Sequence, residues 1–410
     1  MSGLAYIYNR PAAKTVFKAA TPDFPIFNHH PDLVYLDSAA TTHKPKQVIR
    51  AITDFYETKY TSTGRGLYPL ATAGTRQFET TRQQVAQHFG VAGNRIAFTK
   101  SATESINIVA SGFLLSRLSP GDEVIVTTQE HHANFIPWQQ ACLTRKASLI
   151  VIPVDAQGVF SLSTLKHAIT GRTRFIAVTH ITNVLGTINP IDSVIELAHQ
   201  RQIPVLVDAA QSAAFCDTRI LKDADFIVCS AHKMFGPQGL GILYAAPQHE
   251  VAPLIFGGGA IRHVQADQTL LREYPYSLEA GTPDAAAVAG LNAALGYIHS
   301  LNTSDAVVYV HHLTLRCYDR LKELNGIEII GGSPASSMLA FTHNRIHPHD
   351  LATGLAQDHI CVRAGHHCAQ PLADALGISG SVRVSFSIYN SEKDIDKLLE
   401  SLNRIIRFWS

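Results

Sequence analysis

Cysteine is scarce in this chain: six in 410 residues, at positions 142, 216, 229, 317, 361 and 368, and none in a C-x-x-C pair. That spacing excludes a disulfide framework and points to reduced thiols in a cytoplasmic protein. Charge is sparse too. Charged residues make up 16%, the net charge is +1 and no Lys/Arg run occurs, which excludes a nucleic-acid footprint. No apolar stretch reaches the roughly 18 residues of a membrane span. The first twenty residues, MSGLAYIYNRPAAKTVFKAA, have neither a continuous apolar core nor a cleavage signature, so no secretory signal is read. Histidine, by contrast, is plentiful: 21 residues, with doublets at His29/His30, His131/His132, His311/His312 and His366/His367. Zinc ligands usually stand about two to four residues apart. Neighbours on an extended backbone point to opposite sides, and no complete ligand set is visible, so no metal is expected.

The length suits one large α/β domain plus a smaller one. Short apolar runs alternate with helical stretches from about 95 to 245: RIAFT (95–99), DEVIVTT (122–128), SLIVIPV (148–154), RFIAVTHI (174–181), IPVLVDAA (203–210), DFIVCSA (225–231) and LGILYA (240–245). Near-continuous apolar strands between helices predict a mostly parallel sheet covered on both faces. Beyond about residue 300 the order predicts a small α+β domain: a helix over 305–324, strands 326–331 and 337–343, a helix after Pro348, strands 360–364 and 382–388, and a final helix. That last helix carries a capping signal, Ser391 to Asp394, and an apolar face of Ile395, Leu398, Leu399, Leu402, Ile405 and Ile406. The expected division is an N-terminal arm with part of the small domain (1–30), a large domain (31–295) and a small C-terminal domain (296–410).

Ligands of parallel sheets sit beyond the C-terminal strand ends, and four of those ends stand out. Lys233 in SAHKMFG follows the run DFIVCSA. Lysine is seldom buried without a task, and a partly desolvated amine can form a Schiff base with an aldehyde cofactor. Its ordinary alternative is an exposed loop lysine. Asp208 ends IPVLVDAAQ, where a carboxylate can keep a pyridinium nitrogen protonated or simply cap a helix. SATESIN opens a helix at Thr103, a start that suits either phosphate binding or plain capping. His131 of QEHHAN is placed to lie against a flat ring or move protons. The stretch RAGHHCAQPL (363–372) leaves Cys368 open as a metal ligand, a buried small residue or a nucleophile.

In combination and order, YLDSAAT, ATESIN, EHHANFIPW, NVLGT, VDAAQ, SAHKMFGPQGLGILY, FGGG, EAGTPD, RAGHHCAQPL and RVSFSIYN resemble the class V aminotransferase superfamily. The likeness is to its Suf/Csd-type (group II) cysteine desulfurases, nearest the Csd-type cysteine sulfinate desulfinase/cysteine desulfurases. It runs from Tyr35 to the last helix. The resemblance implies a PLP-dependent transferase fold of the aspartate-aminotransferase kind, pyridoxal 5'-phosphate as cofactor, a homodimer, and a SufE/CsdE-like sulfur acceptor protein as partner.

It also implies roles. Lys233 would carry the cofactor, Asp208 would pair with the pyridine nitrogen, Gln211 would contact the phenolic oxygen and His131 would stack on the ring. Ala102, Thr103, Ser230 and His232 would bind the phosphate, with Thr282 reaching across from a second subunit. Asn183, Arg363 and Arg383 would hold the substrate, and Cys368 would take the sulfur as a persulfide, its thiol activated by Arg363, His366 and His367 if they face it. L-cysteine would yield L-alanine, with cysteine sulfinate and selenocysteine as further substrates.

TSTGRGLYPL (61–70) departs from the family, with Gly64 and Tyr68 where many relatives have histidine. Substrate preference is therefore less fixed by the resemblance than cofactor use. Ala231 replaces a usual glycine and adds one methyl near the phosphate. Three alternatives are weighed: a selenocysteine lyase, another class V reaction such as an aminotransferase or epimerase, and a cofactor-binding sulfur-transfer scaffold without turnover. A transaminase has no need of a cysteine on a mobile loop, and a scaffold has no need of Lys233, Asp208 and Arg383 together.

Overall fold

The computed structural model describes residues 17–409, so most of the expected arm, and the segment searched for a signal, lie outside the described residues. Each of the seven apolar runs is a strand of one sheet. The spatial order is Ile96–Thr99, Gly241–Ala245, Phe226–Ser230, Val205–Asp208, Thr173–Thr179, Glu123–Thr127 and Ser148–Ile152. Neighbours pair in parallel except around Gly241–Ala245, which is antiparallel to both of its partners.

Why the runs are almost wholly apolar is visible in their packing. Successive side chains of a strand point to opposite faces. Val205 and Val207 join the core cluster on one face, and Leu206 joins that on the other. Ile227 and Cys229 likewise oppose Phe226 and Val228. With both faces covered, no position on these strands can be polar until the strand ends. Asp208 and Ser230 are therefore the first polar residues available to a ligand.

The smaller C-terminal domain is a four-stranded antiparallel sheet, in the order Ile327–Ile330, Met338–His343, Ser381–Ser385 and Arg363–Gly365. Helix Thr303–Leu321 and helix Glu392–Trp409 accompany it. All six apolar residues expected on the last helix are buried. Asp394 reaches back to accept from the Ser391 N–H at 3.0 Å, which realises half of the expected capping box.

Two expectations need adjustment. The run 360–364 is not one strand: Ile360–Cys361 pairs in parallel with Val34–Tyr35, and Arg363–Gly365 pairs with Ser381–Ser385. The break at Val362 lets one segment serve two sheets. The helix predicted to open at Thr103 begins at Ala102, because Ser101 takes the cap and accepts from the Glu104 N–H at 3.2 Å. It is α-helical only to Val109 and then widens to a π-helical turn over Ala110–Leu114. Gly112 lies in that turn, where a Cβ would run into the Ala252 carbonyl oxygen.

One buried ion pair ties the helix Pro69–Phe89 to the sheet edge. The Arg82 guanidinium, 1% exposed, donates to both Glu279 oxygens at 2.6 and 3.0 Å and to the Ile96 carbonyl at 2.8 Å. Glu279 in turn accepts from the Phe98 N–H at 2.8 Å. Removing one partner of such a pair strands a buried charge. Arg82→Ala should therefore lower unfolding stability by about 3–5 kcal/mol, read by urea denaturation.

Candidate active site

A cavity of ≈ 280 Å³ opens at the C-terminal edge of the large sheet, against the small domain. Its walls include Ala102, Thr103, His131, Asn183, Asp208, Gln211, Ser230, His232, Lys233, Arg363, Cys368 and Arg383. The residues singled out in the sequence are there, His367 included, except Thr282 and His366, which are exposed and outside the cavity lining.

Adjacent strands build the centre. Val205–Asp208 and Phe226–Ser230 are paired neighbours, so Asp208 and the turn Ala231–Lys233 emerge side by side. Burial pushes the Lys233 amine down to about 8, against the opposing pull of Asp208. Burial raises the Asp208 carboxyl in turn, and only the Ala210 N–H, at 2.9 Å from Oδ1, and the Lys233 charge draw it back. The turn itself is fixed from the N-terminal segment. The His232 carbonyl accepts from the Thr42 N–H at 3.1 Å, from the Thr41 and Thr42 hydroxyls and from Lys44 Nζ at 2.9 Å.

At the helix start, the Ala102 N–H donates to Ser230 Oγ at 2.9 Å. The Thr103 amide and hydroxyl have no protein partner among the described residues. Burial brings the His131 imidazole down to about 4, with Lys233 as the next cause. Its Nδ1 accepts from the Ala133 N–H at 3.0 Å, so the ring is neutral with its proton on Nε2. Gln211 donates to the Ala39 carbonyl at 2.8 Å.

The small domain contributes the opposite wall. Arg383, 3% exposed on the strand Ser381–Ser385, donates through Nη1 to the Asn183 carbonyl at 2.7 Å and through Nη2 to Asp37 Oδ1 at 2.9 Å. Arg383 Nε and Asn183 Oδ1 are buried without a partner among the described residues. Arg363 grips the other Asp37 oxygen at 2.9 Å. Asp37 thus holds both arginines, a role that sequence reasoning missed. It stands inside YLDSAAT, but its partners lie 326 and 346 positions away. Glu130 was also missed. It is fully buried beneath the His131 loop and accepts from Thr127 Oγ1 at 2.7 Å, Asn134 Nδ2 at 2.6 Å and the Thr179 N–H at 3.2 Å. Burial still lifts its carboxyl to about 8.

Asn183 lines the cavity, and its Nδ2 donates to the His367 carbonyl at 2.6 Å, so it braces the cysteine loop. Cys368 is exposed on that loop, while Cys142, Cys216, Cys229 and Cys317 are buried. No group of three or more metal-ligating side chains occurs among the described residues.

The Aminotransferase class-V family matches residues 34–398. The chain belongs to the class-V aminotransferase family. A probable cysteine desulfurase of Vibrio cholerae is 39% identical over 93% of this chain and 95% of its own length. Among solved structures, the cysteine desulfurase CsdA from Escherichia coli superposes with a TM-score of 0.89 at 36% identity, over 96% of this chain and 99% of that one. The cysteine desulfurase of Thermococcus onnurineus NA1, solved in its apo form, gives a TM-score of 0.90 at 32% identity, over 96% and 100%.

The cofactor of this class-V chain is pyridoxal 5'-phosphate, and the residues present fit it. A lysine of lowered basicity stands beside a buried carboxylate that has a single backbone donor, and the helix start at Ala102 leaves Thr103 free for an anion. Because only the neutral amine is nucleophilic, cofactor-free protein should take up pyridoxal phosphate faster as pH rises through about 8 and level off above it. Stopped-flow absorbance checks this, and a pH-independent rate would remove the assignment of Lys233.

Proposed function

We propose that the protein is a pyridoxal-phosphate-dependent cysteine desulfurase, which converts L-cysteine to L-alanine and holds the sulfur as a persulfide on Cys368. The observation that carries this reading is that Cys368 shares one cavity with Lys233 and with Arg383. Bound pyridoxal phosphate supplies an electrophilic aldehyde and an electron-withdrawing ring. Lys233 would hold it and, once displaced by substrate, move the proton at the substrate Cα. Asp208 would keep the ring nitrogen protonated, Gln211 would contact the phenolic oxygen, and His131 would cover the ring face. Thr103, Ala102, Ser230 and His232 would receive the phosphate.

The substrate carboxylate would be held by Arg383 and Arg363, which both line the cavity, with Asn183 beside them. Asp37 leaves Arg363 and Arg383 together with one net positive charge, which matches one carboxylate. The Cys368 thiolate attacks the substrate sulfur. The new S–S bond forms as the Cβ–Sγ bond breaks, its electron pair passes to Cβ, and Cβ takes a proton to become the methyl of alanine. The terminal sulfur then leaves for an acceptor thiol, for which a small SufE/CsdE-like protein is the proposed partner. Free cysteines throughout the described residues support a cytoplasmic setting.

One activity panel tests the reaction. With cysteine, Cys368→Ala should lose persulfide formation by about a hundredfold or more while the cofactor absorbance still shifts, because that shift needs only Lys233. Wild-type desulfuration by the variant would sink the nucleophile. The same panel, run with cysteine sulfinate and selenocysteine, ranks the substrates.

A homodimer is proposed as well. Leu67 is 97% exposed, Phe256 70% and Tyr60 68%, which leaves apolar side chains free for a second subunit to cover. Thr282, exposed and outside its own cavity, would then serve the partner's phosphate. Light scattering should give twice the mass of one chain, and Leu67→Glu should shift the protein toward monomer.

A further inference from the structure

The doublet His131/His132 divides its work between two partners. Its rings stand 6.4 Å apart at an interplanar angle of 52°. His131 faces the cavity, while His132 meets the cysteine loop. The His132 backbone N–H donates to the Cys368 carbonyl at 2.7 Å, and its ring Nε2 accepts from the Gln370 N–H at 3.1 Å. Gln370 opens the helix Gln370–Ala375, which has no side-chain cap of its own. The imidazole therefore supplies, from 238 positions away, the acceptor that a capping residue normally provides. Among the described residues, these two bonds are the only ones that tie the backbone from Cys368 to Gln370 to another part of the chain.

The loop needs such a tie. His367 and Cys368 both adopt left-handed backbone, with φ of 54° and 57°, a conformation that disfavours residues with a side chain. On the near side the turn is held by Asn183 Nδ2 on the His367 carbonyl and by His367 Nε2 against Ser381 Oγ at 2.9 Å. On the far side it is held by His132. The base under His132 is rigid: Trp138 Nε1 donates to Asn134 Oδ1 at 3.0 Å, and Asn134 donates to Glu130. A peptide N–H can only donate, so His132 Nε2 must be an unprotonated acceptor. Its surroundings favour that state, since burial and then His366 lower its basicity.

We propose that His132 is a positioning residue that latches the Cys368 loop to the large sheet, so that the thiol meets substrate sulfur from a fixed turn. The proposal rests on Cys368 being the nucleophile. His132 touches neither substrate nor the reacting atoms, so its removal slows sulfur capture and leaves the earlier cofactor steps alone.

The test uses the cofactor-loaded protein with His132→Phe, which keeps the backbone bond and deletes the ring acceptor, and His132→Gln, whose carbonyl can accept in its place. Hydrogen exchange of the Gln370 amide in the resting protein should quicken roughly five- to tenfold in the Phe variant, the change expected for one hydrogen bond. Single-turnover persulfide formation should slow by a similar factor, with the cysteine-induced absorbance change at the wild-type rate. The Gln variant should restore most of both. A thermal midpoint equal to wild type would show the effect to be local.

Wild-type amide exchange in His132→Phe would overturn the latch. So would a Phe variant that slows the absorbance change and persulfide formation alike. If Cys368→Ala retains desulfuration, the nucleophile reading fails instead, and the exchange measurement still decides whether the latch exists.

Discussion

Arg383 is a guanidinium almost wholly removed from water, and it cannot shed its proton at any working pH. Burying such a group is tolerable only if its donors are met. Asp37 and the Asn183 carbonyl meet two of them, and Nε is buried without a partner among the described residues. This one requirement fastens three distant parts of the chain: the N-terminal YLDSAAT segment, the loop after Thr173–Thr179 and the central strand of the small domain. The second guanidinium, Arg363, completes the arrangement on the same carboxylate. What remains is a cleft wall on which two guanidiniums share one carboxylate and carry one net positive charge.

The opposite wall follows from another burial constraint. Parallel strands covered on both faces admit polar residues only where they end, and two neighbouring strands end in Asp208 and in the Lys233 turn. Each lowers the cost of charge on the other, yet burial still wins at Lys233, whose basicity falls toward neutrality. Asp208 is left underprovided with donors, which is the condition that a protonated ring nitrogen would relieve. Between the two walls runs the cysteine loop, held in a left-handed turn by side chains from both domains. Cys368 is thereby exposed on a turn that is braced on both sides.

Much of this was legible in the residues. The period-2 alternation is concealed in doubly buried strands, yet unbroken apolar runs such as IPVLVD and DFIVCS marked all seven strands of the large sheet, because nothing polar fits between two apolar layers. The polar residue after each run then marked the site. Lys233, Asp208 and His131 line one cavity for that reason, whereas Arg383 and Cys368 come from the small domain and were reached through the motifs RVSFSIYN and RAGHHCAQPL. Less legible were Asp37, Glu130 and His132. Asp37 is an ordinary residue in a short motif until Arg363 and Arg383 are brought against it. Glu130 has no local feature that distinguishes a buried carboxylate from a solvated one. The His131/His132 pair gave away only that its members face different ways.

The sequence by itself determined the fold class, the strand ends that carry chemistry and, through its motifs, the class V aminotransferase kinship. These depend on short-range pattern, apolar runs, caps and spacing, which any local reading can recover. Tertiary structure alone decided how the polar groups are shared: which carboxylate holds both arginines, how the Asn183 amide is spent, that Ser101 rather than Thr103 caps the helix beginning at Ala102, and which histidine meets the cysteine loop. Those are matters of hydrogen-bond satisfaction between residues hundreds of positions apart, and a linear chain does not display which donors and acceptors will be buried together.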